Sequence, residues 1–341
     1  MRIDSALIVP PGIVTTKSGT PFRVFTPFYR AAVEAGFFHP RDPGGTSLRP
    51  WRAPDHWPES LEIDDLGLDD TRTRSGRDWA AGFDRFTPGE DGARQALDGF
   101  LENHLMGYAD DRDRPDLDAT SHLSPHLRFG EISPHRILFE LAKAVQRNPA
   151  LTAPAEKFRS ELAWREFSYS LLDQAPDLHT SNIHREFDAF PWTDDDDGFR
   201  AWCRGETGYD LVDAGMRELW QSGYMHNRVR MICASFLTKH LLIDWRRGEQ
   251  WFWDCLLDAD PANNPASWQW VAGCGADAAP YFRIFNPLTQ AEKFDPAGRY
   301  RRRWLGVNNR PAPIIDHGHA RNRALEAYQS IRKDARHDDS D

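Results

Sequence analysis

The sequence predicts a mostly α, multi-helical fold with a short α/β remnant at its N-terminus. Three observations carry that prediction. From Gly92 onward apolar residues recur at helical spacing. Two Ser-Pro pairs, Ser124-Pro125 and Ser133-Pro134, each set a hydroxyl at an N-cap and a proline at N1. Few segments alternate with period 2. The chain has 341 residues, 40% of them apolar, enough for one large core or two modest ones.

The elements follow in order. Residues 1–20 read as a strand over Ala6–Val9, a Pro-Pro-Gly turn and a loop. One strand has no independent stability, so this segment reads as the end of a larger domain. Residues 21–95 read as a joining segment. It holds a helix over Thr26–Phe38 and a long surface linker over 39–92, rich in Pro, Gly and Asp. Residues 96–334 form the helical domain. Its segments are Ala93–Tyr108, a helix from Ser133 through Ala144, Lys157–Asp173, Tyr209–Gln221, Met225–His240 and Gly248–Leu257. Phe158, Leu162, Tyr169 and Leu172 make the stripe of the third. No internal repeat is present, and the polar residues 335–341 read as a disordered tail.

Composition excludes several classes. No apolar run reaches the roughly 18 residues of a membrane helix. MRIDSALIVPPG lacks the apolar core and cleavage site of a signal peptide, so a cytoplasmic location is expected. Cys203, Cys233, Cys255 and Cys274 are too scattered for a metal site and read as free thiols. The net charge of −10 argues against nucleic acid. Base is nonetheless concentrated at His226–Arg230, Arg246–Arg247, Arg299–Arg303 and Arg321–Arg336, which leaves room for local DNA contact. Of 13 tryptophans, ten lie between Trp164 and Trp304, a density that suits stacking platforms or electron carriers as well as core.

Four motifs bear chemistry. The run Thr120-Ser121-His122-Leu123-Ser124-Pro125 ends at a helix start, where free N–H groups and the dipole favour an anion; a plain Ser/Thr cap is the alternative. Glu161, Trp164, Arg165 and Ser168 share one helix face, either a pocket wall or a surface ion-pair face. Asn227, Arg230 and Met231 share another, combining a polar edge with an apolar, polarizable contact; a core methionine is the plainer reading. In Asp258-Ala259-Asp260-Pro261-Ala262-Asn263-Asn264-Pro265-Ala266-Ser267-Trp268-Gln269-Trp270, two helical steps of about 100° each put Trp268 and Trp270 on opposite sides. The Asp and Asn residues before them suit the edge of a heterocycle, or a solvated loop.

TSHLSPHLRFGEISP, ELAWREF, TGYDLVDAGMRELWQSGYMHNRVRM, LLIDWRRGE and DADPANNPASWQWVAGCGADAAPYFRIFNP, in this order, resemble the photolyase/cryptochrome family, with GTPFRVFTPFYRA similar to the segment joining its antenna and catalytic domains. The resemblance runs from about Gly12 to about Trp304. It implies a photolyase-type FAD-binding domain of a class I cyclobutane pyrimidine dimer photolyase. It further implies that Tyr108, Thr120, Ser121, Leu123, Ser124, Phe158, Arg230, Asp258, Asp260 and Asn264 contact noncovalent FAD, active as the reduced anion. Asn264 falls near the flavin N5, and Arg230 with Asp258 forms an ion pair beside the ring system. Trp192, Trp245 and Trp268 match a tryptophan chain that passes electrons to the flavin. Glu161, Trp164, Asn227, Met231 and Trp270 match the positions that hold the dimer, and Arg112, Arg165, Arg228 and Gln290 match DNA contacts.

The activity so implied is light-driven repair. Excited reduced flavin gives an electron to a flipped-out dimer, the ring opens and the electron returns. Damaged DNA is the partner, with no obligate protein partner, and the enzyme is expected to be a monomer. The resemblance begins only at the end of the family's N-terminal α/β antenna domain, which gives no basis for an antenna chromophore such as folate or deazaflavin. A cryptochrome-like photoreceptor and a (6-4) photolyase are the rivals on the same fold. Asn264 in place of an Asp, and the short C-terminus, speak against the first. Met231 in place of a His speaks against the second.

Overall fold

The computed structural model describes residues 6–41, 52–67, 81–278, 282–306 and 310–338. Among them are fourteen α-helices and no strand. In chain order they are α1 Phe25–Glu34, α2 Glu90–Asn103, α3 Tyr108–Asp111, α4 Ser124–Phe129, α5 Pro134–Arg147, α6 Thr152–Gln174 and α7 Asp196–Arg204. Then come α8 Asp210–Ser222, α9 Asn227–Ser235, α10 Trp245–Cys255, α11 Asn263–Ala272, α12 Pro287–Phe294, α13 Arg299–Leu305 and α14 His317–Asp338. No described helix is long and apolar enough to cross a membrane.

Two apolar cores form, and α6 and α11 meet at the seam between them. One core gathers Ile8, Phe28, Leu97, Phe100, Ile137, Leu162 and Phe167, from the N-terminal segment and α1, α2, α5 and α6. The other gathers Trp202, Val212, Leu219, Ile232, Leu237, Trp245, Phe252 and Trp268, from α7 to α11. α6 buries residues on several sides (Phe158, Leu162, Ala163, Phe167 and Leu171), as a helix enclosed by neighbours must. α9 continues into a π-helical turn over Phe236–His240, all five residues buried. The four cysteines are free thiols, three of them buried.

Several sequence expectations are corrected. Ala6–Val9 is not a strand. The N–H groups of Ile8 and Val9 donate to the Glu166 carboxylate at 2.7 and 2.9 Å instead of to a neighbouring strand. The helix expected over Thr26–Phe38 ends at Glu34, because Gly36 at φ 80° turns the chain out of it. The linker expected over 39–92 returns to the body at a 3₁₀ turn, Ala81–Arg85, packed on α8. Ser124 is the first residue of α4 and Leu123 its N-cap, whereas Ser133 caps α5 as expected, its hydroxyl accepting from His135 N–H. α14 runs to Asp338, past the point where disorder was expected. Its buried Ala320, Ala324, Ala327 and Ile331 recur at helical spacing and pin it to the body. Residues 339–341 lie outside the described residues.

Candidate functional site: a cavity at the seam of two cores

A cavity of about 570 Å³ opens where α3, α4, α6, α9 and α11 converge, within the ~300–1,000 Å³ usual for small-molecule sites. The helical stripes read from the sequence all face it: Glu161, Trp164, Arg165 and Ser168 from α6, and Asn227, Arg230 and Met231 from α9. Tyr108, Thr120, Ser121, Leu123, Ser124, Phe158, Asp258, Asp260, Asn264, Trp268 and Trp270 line it too, as do Arg112 and Arg228. The apolar part of its wall comes from both cores, so a ligand here would complete the packing between them.

The polar groups are fixed before any ligand arrives. Arg230 forms a fork with Asp258, its two terminal nitrogens donating at 3.0 and 2.9 Å, while its Nε–H donates to the Met225 carbonyl at 2.6 Å. Such a bidentate pair holds both planes in one orientation. Asp260 Oδ1 accepts from the N–H groups of Ala262 and Asn263, and its Oδ2 accepts from the Tyr169 hydroxyl at 2.7 Å. Asn264 points its side-chain NH₂ at two acceptors, the Glu249 carbonyl at 3.0 Å and the Glu249 Oε1 at 2.9 Å. Two acceptors fix which end of the amide faces them, and its Oδ1 is left as an acceptor for the cavity. Tyr108 is edge-on to Phe158 and Phe100, and burial pushes its phenol pKa upward, keeping it a neutral donor.

At α4 no side chain caps the helix start. The preceding run Thr120–Ser124 lines one end of the cavity, where its hydroxyls and the positive end of the helix suit an anion. Within that run His122 has φ 52°, a backbone few non-glycine residues adopt, and its ring is bonded to Asp118 at 2.6 Å.

The other end is charged. Arg112 donates to Glu161 at 2.5 Å, and Lys157 pairs with the same carboxylate oxygen at 2.9 Å. Arg228 donates to Asp113 at 2.5 Å and stands over the Phe294 ring at 4.6 Å. Arg165 bonds Glu166 at 2.8 Å. Gln290, expected with these arginines, is on α12 outside the cavity lining, one helical turn before Phe294.

Of the three tryptophans assigned to electron transfer, Trp268 alone lines the cavity. It is 2% exposed and touches Phe252 edge-on at 4.9 Å and Trp202 at 6.1 Å. Trp245 is wholly buried and donates its indole N–H to Asn182 at 2.9 Å. Trp192 is half-buried against Phe190 at 4.3 Å. Trp268 and Trp245 are thus both buried and Trp192 is half-buried, with phenylalanine rings against Trp268 and Trp192.

Sequence reading missed Glu249, Tyr169, Tyr224 and Lys157. The first two act on Asn264 and Asp260 from helices remote in sequence, which no local pattern reveals. Tyr224 and Lys157 line the cavity. Lys157 lies one turn before Glu161 and was visible in the same stripe.

Comparison with known proteins agrees with this geometry. Residues 158–310 match the FAD binding domain of DNA photolyase. The chain is 49% identical to a deoxyribodipyrimidine photo-lyase of Agrobacterium fabrum, over 96% of this chain and 72% of that one. A solved bacterial class III photolyase from Agrobacterium tumefaciens superposes with a TM-score of 0.86 at 46% identity, covering 96% of this chain and 72% of that one. An archaeal photolyase from Sulfolobus tokodaii with two FAD molecules gives 0.68 at 31% identity, covering 94% and 71%. The class I assignment drawn from the motifs finds no support here. Those motifs surround the shared cavity, and residues fixed by a common cavity do not separate branches of one family.

Proposed function

This chain belongs to the photolyase/cryptochrome family, and from that premise we propose that it is a deoxyribodipyrimidine photo-lyase of the class III branch. It uses light to split cyclobutane pyrimidine dimers in DNA, with FAD as cofactor. One observation carries the reading: Glu161, Trp164, Asn227, Met231 and Trp270, from three helices, open into the same cavity as Arg230, Asp258 and Asn264.

The residues fit the cofactor. The Arg230–Asp258 fork and the Asn264 Oδ1 suit the polar edge of a ring system. Thr120–Ser124 at the uncapped start of α4 suit its phosphates. FAD supplies light absorption and reversible one-electron chemistry. The protein's part is to hold a dinucleotide against it. Trp164 and Trp270 give the flipped bases apolar walls, Glu161 and Asn227 take their polar edges, and Arg112, Arg165 and Arg228 meet the flanking phosphates. Fixed dipoles around the dimer stabilise transient negative charge better than mobile water would.

The test is a repair assay on an oligonucleotide carrying one thymine dimer, in blue light and in the dark. Glu161→Ala and Trp270→Ala should lower light-dependent repair while the flavin is retained. Equal product in light and dark, or loss of flavin from both variants, refutes the proposal.

A further inference from the structure

Trp164 and Trp270, the aromatic walls of the substrate end, come from different helices, yet both connect to the start of α1, Trp164 directly and Trp270 through Asp277. Phe25, the first residue of α1, stacks flat on Trp164 with ring centroids 3.7 Å apart and planes 8° apart. Phe25 is itself buried and edged by Phe167 at 6.0 Å. It is absent from the cavity lining, whereas Trp164 is part of it, so Phe25 backs the indole on the side away from the ligand. Trp270 is held by its indole N–H, which donates to the Asp277 carbonyl at 3.1 Å. The carboxylate of the same Asp277 accepts from Phe25 N–H at 3.4 Å.

Two features show that Asp277 is constrained to this place. Val24, at the N-cap of α1, makes no side-chain cap bond, so the Asp277 carboxylate takes that role from 252 residues away, at the positive end of the helix. Asp277 also adopts φ 55°, a conformation that costs a non-glycine residue on the order of 1 kcal/mol or more. The strain is held because both ends of the residue are engaged.

We propose that Phe25 and Asp277 are positioning residues for the substrate pocket. They fix the planes of Trp164 and Trp270, so a flipped dinucleotide stacks without first immobilising two indoles. The proposal rests on the reading that these indoles face the dimer.

Phe25→Leu keeps an apolar side chain and removes the flat face. Dark affinity for a dimer-bearing oligonucleotide, measured on flavin-loaded protein, should fall roughly 2- to 12-fold. That range is the ~0.5–1.5 kcal/mol of an aromatic pair. Phe25→Tyr should restore it. In a Trp164→Ala background the Phe25→Leu penalty should vanish, since the group through which it acts is gone. Asp277→Gly, which tolerates the positive φ but lacks the carboxylate that holds Phe25 N–H, should weaken binding in the same way and lose its effect when Trp164 and Trp270 are both replaced by alanine.

Wild-type affinity in Phe25→Leu, a penalty undiminished by Trp164→Ala, failure of Phe25→Tyr to restore binding, or loss of flavin from Phe25→Leu each overturns the proposal. If the wild-type protein itself does not prefer the dimer to undamaged DNA in the dark, the functional reading fails instead.

Discussion

Gly248 lies where α10 presses on Trp268, and replacing it with alanine tests how the buried indole is seated. A Cβ at this position would stand 2.2 Å from Trp268 Cη2, 2.6 Å from its Cζ3 and 2.5 Å from Leu237 Cδ2. Carbon atoms rest at roughly 3.5–4.0 Å, so something must move by about 1 Å or more. Trp268 and Leu237 are 2% and 0% exposed and have no solvent to move into. Overpacking of this kind costs ~1–3 kcal/mol, more than the ~0.5–1 kcal/mol that alanine gains over glycine in a helix. Gly248→Ala should therefore destabilise the protein. Because Trp268 lines the cavity, photoreduction of the bound flavin should also change. Gly99→Ala is the control. It is in α2 with nothing within 4 Å of its added Cβ, so only the backbone gain of ~0.5–1 kcal/mol applies. The assay is urea unfolding of the flavin-loaded proteins, with photoreduction rates measured alongside. An unfolding midpoint for Gly248→Ala equal to or above that of Gly99→Ala would refute this account of the packing.

Three further outcomes are expected. Asp258→Ala leaves the Arg230 guanidinium without its carboxylate. Removing one partner of a buried pair costs ~3–5 kcal/mol, toward the lower end here because the Arg230 side chain is still 23% exposed, and purified protein should carry markedly less FAD; full occupancy by absorbance counts against the fork's role. Asp113→Asn frees Arg228 from its 2.5 Å partner, so affinity for undamaged duplex should rise a few-fold and the salt slope should steepen by about one counterion; an unchanged slope means Arg228 does not meet phosphate. His240, stacked on Phe236 and bonded to His317, has its pKa pushed down to about 3, chiefly by burial. The unfolded chain binds this proton first, so the His240 contribution is intact above pH ~6.5 and is lost as pH falls toward 3, by at most about 1.4 kcal/mol per pH unit. Between pH 7.5 and 5 the wild type should lose more stability than His240→Phe, and parallel curves from chemical unfolding would contradict this.

The helical class and most of the cavity wall were open to sequence reading, because side chains at i, i+3 and i+4 share a face whatever the helix packs on. Glu161, Trp164 and Arg165 on α6, and Asn227, Arg230 and Met231 on α9, were legible for that reason, and each set faces the cavity. The boundaries were less legible. Gly36 stopped α1 early, and the Glu166 carboxylate claimed the N–H groups of a supposed strand. The three indoles that the resemblance assigns to electron transfer have no local pattern of their own, since they lie on separate segments and Trp268 packs on Phe252 and Trp202.

What the chain determined alone is therefore local: which residues lie on one helix face, and where prolines, serines and glycines start and stop the helices. The partners of those faces belong to the tertiary structure. Glu249 orients Asn264, Tyr169 holds Asp260, Phe25 backs Trp164, and Asp277 ties Trp270 to α1. Backbone geometry repeats every 3.6 residues and is written in the sequence pattern. The meeting of two helices depends on how whole cores pack, and no short window of sequence contains that information.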